Sequence, residues 1–531
     1  MEQQEHALAT ASVVMAGWSL RPLFSVVVHE AEVPDATRLG EILSMLDRQS
    51  YPHWELIVVP AAGRLTIEPS AAVRMASVAA GNAAEALAIG VAEAKGEFIL
   101  PLREDALLPP TALYRYAQAL QGTPGAELFY GDHDWMDANG ERIHPWFKPQ
   151  WNEEMFLAQD YIAPTCVIRA EIARRAPPVD ADLANIAVYA LLLGLREGAH
   201  FVHVPHVQAH LRLDSPENGH QAERLLAVRR ALADGVEVHP GPFGTLRVQW
   251  PLPTPPPLVS IIVPTRDHGK LLRACISGLL ERTAYAPLEI IVVDNGSTES
   301  AALDYMRELE VRPEVRVLRY DYPYNYAALN NFAVAQARGE YLCLLNNDTE
   351  VTNGMWLAEM MRHAVRPQIG AVGAMLLYDD GSIQHAGVVV GLKQAAGHAH
   401  RFSRPELPGY FRYPHVPQYV SAVTAACLVL ARHKYDAVGG LDEVQLAIAF
   451  NDVDLCLKLQ QAGWRNLYAP QAVMLHHESK SRARDVSARR REQYAVELAI
   501  LQQRWGADHY VDPLHHPQLD RDSEDFTIYA A

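Results

Sequence analysis

Leu258-Val259-Ser260-Ile261-Ile262-Val263-Pro264-Thr265 is a nearly unbroken apolar run that stops on a proline and a hydroxyl. A strand half exposed to water would alternate apolar and polar residues, so a run this continuous reads as a strand buried on both faces. Moving outward, Leu271, Leu272, Cys275, Ile276, Leu279 and Leu280 fall on one stripe of a helix. Residues 288–293 read as a second strand, 315–319 as a weaker third, 327–337 as a helix and 340–345 as another strand. Apolar runs separated by helices predict a parallel sheet covered on both faces. Ligands of such sheets gather at the carboxyl ends of strands, where Thr265, Asp294 and Asp348 fall.

Acidic strand ends recur in this half of the chain. Leu344-Leu345-Asn346-Asn347-Asp348-Thr349 carries an apolar strand into a carboxylate, and Val292-Val293-Asp294 does the same. Downstream stand Phe450-Asn451-Asp452-Val453-Asp454 and His476-His477. A carboxylate ending a buried strand is costly unless it meets solvent, a partner or a metal. Together these residues suit a divalent metal and a base.

The segment before residue 250 repeats the script. Residues 24–28 match the first strand, 54–59 match 288–293, and Ala94-Lys95-Gly96-Glu97-Phe98 matches Ala337-Arg338-Gly339-Glu340-Tyr341. Two copies of one α/β domain are expected. Between them Trp250-Pro251-Leu252-Pro253-Thr254-Pro255-Pro256-Pro257 can join neither a helix nor a central strand. The expected organisation is a domain over 1–250, a proline-rich linker over 251–257 and a second domain over 258–531 ending in a helical tail. The copies differ where chemistry would sit: Pro60 faces Asp294, Ala88 faces Asn331 and Arg103 faces Asn346, while Asp105 still faces Asp348. Packing positions survive in the first copy and polar strand-end positions do not.

At 531 residues the chain exceeds one ordinary core, and 49% hydrophobic with 21% charged residues is a globular composition. A net charge of -17 argues against a nucleic-acid binder. A local basic cluster, Lys480, Arg482, Arg484, Arg489, Arg490 and Arg491, reads as a solvated helix face or as a site for phosphate or anionic lipid. Five scattered cysteines without CxxC spacing read as buried free thiols, in keeping with a reducing cytoplasm. No basic segment followed by an apolar core opens the sequence and no apolar run could span a bilayer, so a cytoplasmic protein with at most peripheral membrane contact is expected.

From residue 257 to 477 the chain resembles the family-2 inverting glycosyltransferases of the GT-A fold, especially bacterial polysaccharide and rhamnosyl-type members. The motifs carrying the resemblance are residues 260–265, Val292-Val293-Asp294-Asn295-Gly296-Ser297 and the strand ending at Asp348. His385-Ala386-Gly387, Val438-Gly439-Gly440-Leu441-Asp442-Glu443, Asn451-Asp452-Val453-Asp454 and His476-His477-Glu478-Ser479 follow in order. The first copy also resembles the family through Gly131-Asp132-His133-Asp134 and Phe147-Lys148-Pro149, but offers Val188-Tyr189-Ala190 where an acidic pair is due. The resemblance implies two tandem GT-A-like, Rossmann-like domains of nucleotide-diphospho-sugar transferase type, the first non-catalytic. It implies a sugar donor such as dTDP-rhamnose or a UDP-sugar, and a glycan or lipid-linked acceptor in surface polysaccharide synthesis.

It also implies roles. Pro264, Thr265, Arg266, Asp294, Asn331, Asn346, Asn347 and Asp348 would bind the nucleotide-sugar, although Asp-Asn-Gly-Ser is also strong Asx-turn chemistry. Asp348 would hold Mn²⁺ or Mg²⁺ with His476, and Asn346 replaces an acid of the family's D-x-D pattern. His477 stays open as the alternative ligand, because strand neighbours point opposite ways. Asp452 would be the general base, worth roughly 10²–10⁴-fold; its simpler account is an acid at a helix start. Glu443 and Asp454 would lie on the acceptor side. His385, His398 and His400 read as loop residues near the acceptor, and Tyr322, Tyr324, Tyr326, Tyr410, Phe411 and Tyr413 as aromatic surface, half of it core packing. No GxGxxG follows the first strand, against a dinucleotide-binding oxidoreductase, and Pro264-Thr265-Arg266-Asp267 is not the glycine-rich basic loop of a nucleotidyltransferase. A non-catalytic sugar-nucleotide-binding scaffold is the remaining alternative.

Overall fold

The computed structural model describes residues 11–29, 36–59, 72–76, 78–103, 105–212, 220–477 and 488–528. Pro60, Glu478, Ser479, Lys480, Arg482 and Arg484 lie outside them. The chain divides into two compact units, Met1–Val248 and Gln249–Ala531.

In the first unit, strands β1 (Phe24–Val28), β2 (Trp54–Val58), β3 (Val73–Met75), β4 (Phe98–Leu102) and β5 (Ala106–Leu107) come before β6 (Leu128–Met136) and β7 (Arg142–Trp146). Then follow β8 (Cys166–Arg169), β9 (Phe201–Arg212) and a two-stranded sheet of β10 (Glu237–Pro240) and β11 (Leu246–Gln249). The main sheet runs β3-β2-β1-β4-β8-β6-β9-β5, with β7 on β6.

The second unit contains β12 (Val259–Thr265), β13 (Leu288–Asp294), β14 (Val315–Arg319), β15 (Tyr341–Leu345), β16 (Thr349–Val351) and β17 (Ile369–Leu377). After them come β18 (Ile383–His385), β19 (Val388–Val390), β20 (Ala396–His398), β21 (Gln418–Val420), β22 (Cys427–Ala431) and β23 (Arg465–His476). Its sheet runs β14-β13-β12-β15-β22-β17-β23-β16, with β18 on β17 and β21 on β23. Strand for strand, that order repeats the first unit's.

Directions and registers repeat as well. β12 is parallel to β13 and β15, as β1 is to β2 and β4. β22 then runs antiparallel to β15 and β17, as β8 does to β4 and β6. The all-parallel sheet expected from the apolar runs is therefore mixed: the reversed β22 is buried on both faces too, and burial alone leaves no mark of direction. A buried clip also recurs. Ser260 Oγ donates to Glu289 Oε1 (2.5 Å), Arg338 N donates to the same oxygen (2.6 Å), and Gly339 N donates to Ser260 Oγ (2.8 Å). Ser25, Glu55, Lys95 and Gly96 make the identical three bonds in the first unit. Glycine is required at the clip, because a Cβ on Gly339 would lie 2.7 Å from Ser260 N.

The second unit's core joins Ile261, Val263, Val292 and Cys343 of the sheet to Leu272, Ile276 and Leu279 of the helix Gly269–Arg282, and to the fully buried Trp356. Apolar side chains at a helical spacing meet apolar strands, which is the hydrophobic stripe read from sequence. All five cysteines are free and buried, as expected.

Candidate active site

Carboxyl-terminal ends of β12 and β15 border a cavity of about 760 Å³ in the second unit. Pro264, Thr265 and Arg266 line one part, and Asn346, Asn347 and Asp348 another. Asp452 and His476, 24 residues apart in sequence and over a hundred from Asn346, reach the same space. Tyr324, Tyr326, His398 and Arg490 also line it.

His476 ends β23, where its register pairs it with Thr349, so the imidazole stands beside Asp348. Its Nδ1 lies 2.6 Å from Gln384 Oε1, an oxygen that can only accept, so Nδ1 carries the hydrogen. Nε2 is then a lone pair, 3.1 Å from Asp348 Oδ1 and 3.2 Å from Asn346 Nδ2. That contact repels in the neutral ring unless a cation lies between the two atoms; in the protonated ring Nε2 instead donates to Asp348 Oδ1. The carboxylate oxygen and the imidazole nitrogen could hold a divalent cation, and Asn346 turns its amide NH2, a donor, towards them. His477 turns away: its ring meets Asp379 and, at 3.3 Å, Glu350, and its backbone N donates to Asp348 O (2.9 Å). Alternation along the strand separates the two histidines.

Asp452 stands in the first turn of the helix Asn451–Gln461, entered through Phe450 at φ 59°. Oδ2 accepts from Ala425 N (3.0 Å) and Oδ1 from its neighbour Val453 N (2.9 Å). Burial pushes its pKa above the usual carboxylate range, against the pull of those N–H groups and the Thr424 hydroxyl. A carboxylate so placed is a better proton acceptor than one in water. Asp454, two residues on, faces the opposite side of the helix, as i and i+2 positions must. It is fully buried, bonded to Arg504 Nη1 (2.7 Å) and Trp505 Nε1 (2.9 Å), with Lys458 Nζ at 3.1 Å.

Four residues expected at the site do not line the cavity. Asp294 accepts from Ser297 N (2.9 Å) and pairs with Arg319, the Asx-turn account of its motif. Asn331 donates to Leu441 O (2.9 Å) and Glu443 Oε2 (3.0 Å) and accepts from Tyr435 OH (2.5 Å), tying a helix to the Gly439-Gly440 turn. Glu443 is exposed and spent on that tie, and Asp454 is the clamp just described. Short-range motif spacing could not separate these anchoring roles from ligand contact.

His385 is a fully buried strand residue rather than part of a loop, and His400 stacks on Phe526 at 4.4 Å. Tyr410 and Tyr413 pack around the same Phe526, with Tyr413 fully buried and Tyr410 half-buried. Gln384, Thr424 and Ala425 went unnoticed in the sequence; the one available signal was Gln384 preceding His385-Ala386-Gly387.

The first unit keeps an acid, Asp105, where the second has Asp348, and differs in the elements around it. Arg103 forms a two-pronged pair with Asp105 (2.9 and 2.8 Å), where the second unit has Asn346 and Asp348. β5 pairs Ala106 with Leu211 where β16 pairs Thr349 with His476. The helix before β9 begins Ala187-Val188 where that before β23 begins Asn451-Asp452.

Residues 260–422 match the Glycosyl transferase family 2 model. The uncharacterized protein y4gI of Sinorhizobium fredii is 38% identical over 535 residues, 96% of this chain and 58% of its own length. The O-antigen biosynthesis protein RfbC of Myxococcus xanthus is 33% identical over 503 residues, 90% of this chain and 39% of its own. The N-acetylglucosaminyl-diphospho-decaprenol L-rhamnosyltransferase of Mycobacterium tuberculosis is 27% identical over 251 residues, 43% of this chain and 78% of its own. The chain thus spans about half the length of the first two relatives.

Proposed function

We propose, from the premise of a Glycosyl transferase family 2 domain over residues 260–422, that the second unit is an inverting glycosyltransferase. Its donor is a nucleoside-diphosphate sugar, dTDP-rhamnose or a UDP-sugar, and its acceptor a glycan or lipid-linked glycan of surface polysaccharide synthesis. The names of the Myxococcus and Mycobacterium relatives support that substrate class. The observation that carries the reading is one cavity shared by Asp348, His476 and Asp452.

Asp452 accepts the proton of an acceptor hydroxyl as its oxygen bonds to the anomeric carbon. The bond from that carbon to the diphosphate oxygen breaks on the opposite face, and the electron pair leaves with the nucleoside diphosphate. Asp348 and His476, with Asn346 beside them, would hold Mn²⁺ or Mg²⁺, which supplies neutralisation of the charge growing on the leaving group. Thr265, fixed by Asn347 Nδ2 at 2.9 Å, and Arg266 line the nucleotide side. Asp294 accepts from Ser297 N (2.9 Å), and Ser297 Oγ accepts from the amide of Asp267 (2.7 Å), the next residue of that wall.

The first unit is a non-catalytic copy that positions acceptor or scaffolds the second. Its Arg103 supplies, within the protein, the positive charge that the metal site takes from solution. Among the described residues no helix is long and apolar enough to cross a membrane. Exposed Arg489 and Arg491, flanking the cavity-lining Arg490, open the helix Ala488–Trp505 and suit a peripheral contact with anionic lipid at a cytoplasmic membrane face.

Nucleoside diphosphate release from a panel of UDP- and dTDP-sugars with Mn²⁺ tests the reading. Asp452→Asn should lose transfer while retaining donor binding; full turnover in that variant overturns it.

A further inference from the structure

We propose that His385 is a positioning residue that aims and tunes Asp452 through the Thr424–Ala425 turn. The inference rests on Asp452 being the base of the proposed reaction. His385 Nδ1 lies 2.9 Å from Ala374 O, which can only accept, so Nδ1 is the protonated nitrogen. Nε2 is consequently a lone pair, and Thr424 N donates to it (3.3 Å). The next amide along, Ala425 N, donates to Asp452 Oδ2 (3.0 Å), and the Thr424 hydroxyl bonds the same carboxylate. Hydrogen bonds on either side of the Thr424–Ala425 peptide thus tie β17 and the imidazole to the base.

The ring is built to stay put and stay neutral. It is fully buried, its edge against His398 (centroids 5.2 Å apart) and Tyr468 (6.3 Å). Gly373 makes its slot, because a Cβ there would lie 3.3 Å from His385 Cε1 and 2.5 Å from Val423 Cβ. Burial drops the His385 pKa to about 4, so the lone pair that Thr424 needs persists at physiological pH. The corresponding place in the first unit holds Trp146: β7 pairs it with His133 as β18 pairs His385 with Leu376. An indole cannot accept from a backbone amide. Among the described residues the imidazole brace belongs to the unit that has an acid to brace; in the first unit the register-equivalent amides, Ile162 N and Ala163 N, donate to Asp160 Oδ1 instead (3.1 and 3.0 Å).

The groups around Asp452 are the amides of Ala425 and Val453, the Thr424 hydroxyl and, one helical turn on, the Cys456 thiol. Asp348, His476, His398 and Arg490 line the same cavity. Burial raises the Asp452 pKa and the N–H and O–H donors restrain it, so loosening the turn should raise it further.

The test is the pH profile of kcat at saturating Mn²⁺ for wild type, H385F, H385N and H385Q, with D452N as control, following nucleoside diphosphate release. The acid limb should move to higher pH in H385F and H385N, by up to about one unit, the worth of the Ala425 N–H bond to Asp452 that the loosened turn weakens. H385Q, whose amide oxygen can accept from Thr424, should move it less. A folded H385F or H385N with an unmoved limb overturns the proposal; an active D452N overturns the assignment of the base instead. On the wild type alone, ¹⁵N-histidine spectra should show His385 protonated at Nδ1, and protonation at Nε2 would equally end the proposal.

Discussion

His476 Nε2 lies 3.1 Å from Asp348 Oδ1, across 128 residues of chain, and the two meet because β16 and β23 pair Thr349 with His476. The register of one short strand pair thus builds the candidate cation site. A one-residue slip would bring His477 to Asp348 and send His476 outward.

The two histidines should therefore behave differently. His476→Ala should abolish the rise in melting temperature that Mn²⁺ produces in the wild type, because a ligand binding only the folded state stabilises it. His477→Ala should keep that rise. Calorimetric titration with Mn²⁺ provides the same comparison as an affinity.

Gln384 should act on metal binding through His476. Its Oε1 fixes the imidazole tautomer at 2.6 Å, and losing such a supporting bond weakens metal binding about 10–100-fold. Gln384→Leu should show that loss by Mn²⁺ titration while the acid limb of kcat, measured at saturating Mn²⁺, stays in place.

The clamp on Asp454 is a stability element. Arg504 spans Asp454 (2.7 Å) and Asp442 (2.8 Å), fastening the last long helix to the one that carries Asp452. Arg504→Ala should cost about 1–3 kcal/mol in urea unfolding, since Lys458 and Trp505 still serve the buried carboxylate. Arg504→Lys should fall between, because an ammonium cannot fork to two acids as a guanidinium does.

Asp512 gives the fold a pH dependence of definite sign. Burial raises its pKa from 3.8 to about 6, although Val390 N (2.7 Å) and Leu514 N (2.8 Å) donate to it. The folded value lies above the unfolded one, so its contribution is complete below about pH 4 and is lost as pH rises through about 6. The melting temperature of wild type relative to Asp512→Asn should fall across that window; a constant difference would show that Asp512 titrates normally.

Continuous apolar runs such as residues 259–263, the proline stretch at 251–257 and the repeated Lys/Arg-Gly-Glu segment determined the α/β class and the two related units, because burial and proline geometry act locally. They also exposed Asp348, Asp452 and His476 as polar breaks in apolar context. Tertiary structure alone decided which polar residues share a cavity. Asp294, Asn331, Glu443 and Asp454 look the same in sequence as the residues that line it, yet each is consumed by a partner: Arg319, Tyr435, Asn331 and Arg504 in turn. The direction of β22, the choice of His476 over His477, and the braces from Gln384 and His385 likewise depend on strand register between distant segments. Such pairings are fixed by packing of the whole sheet, and no local pattern encodes them.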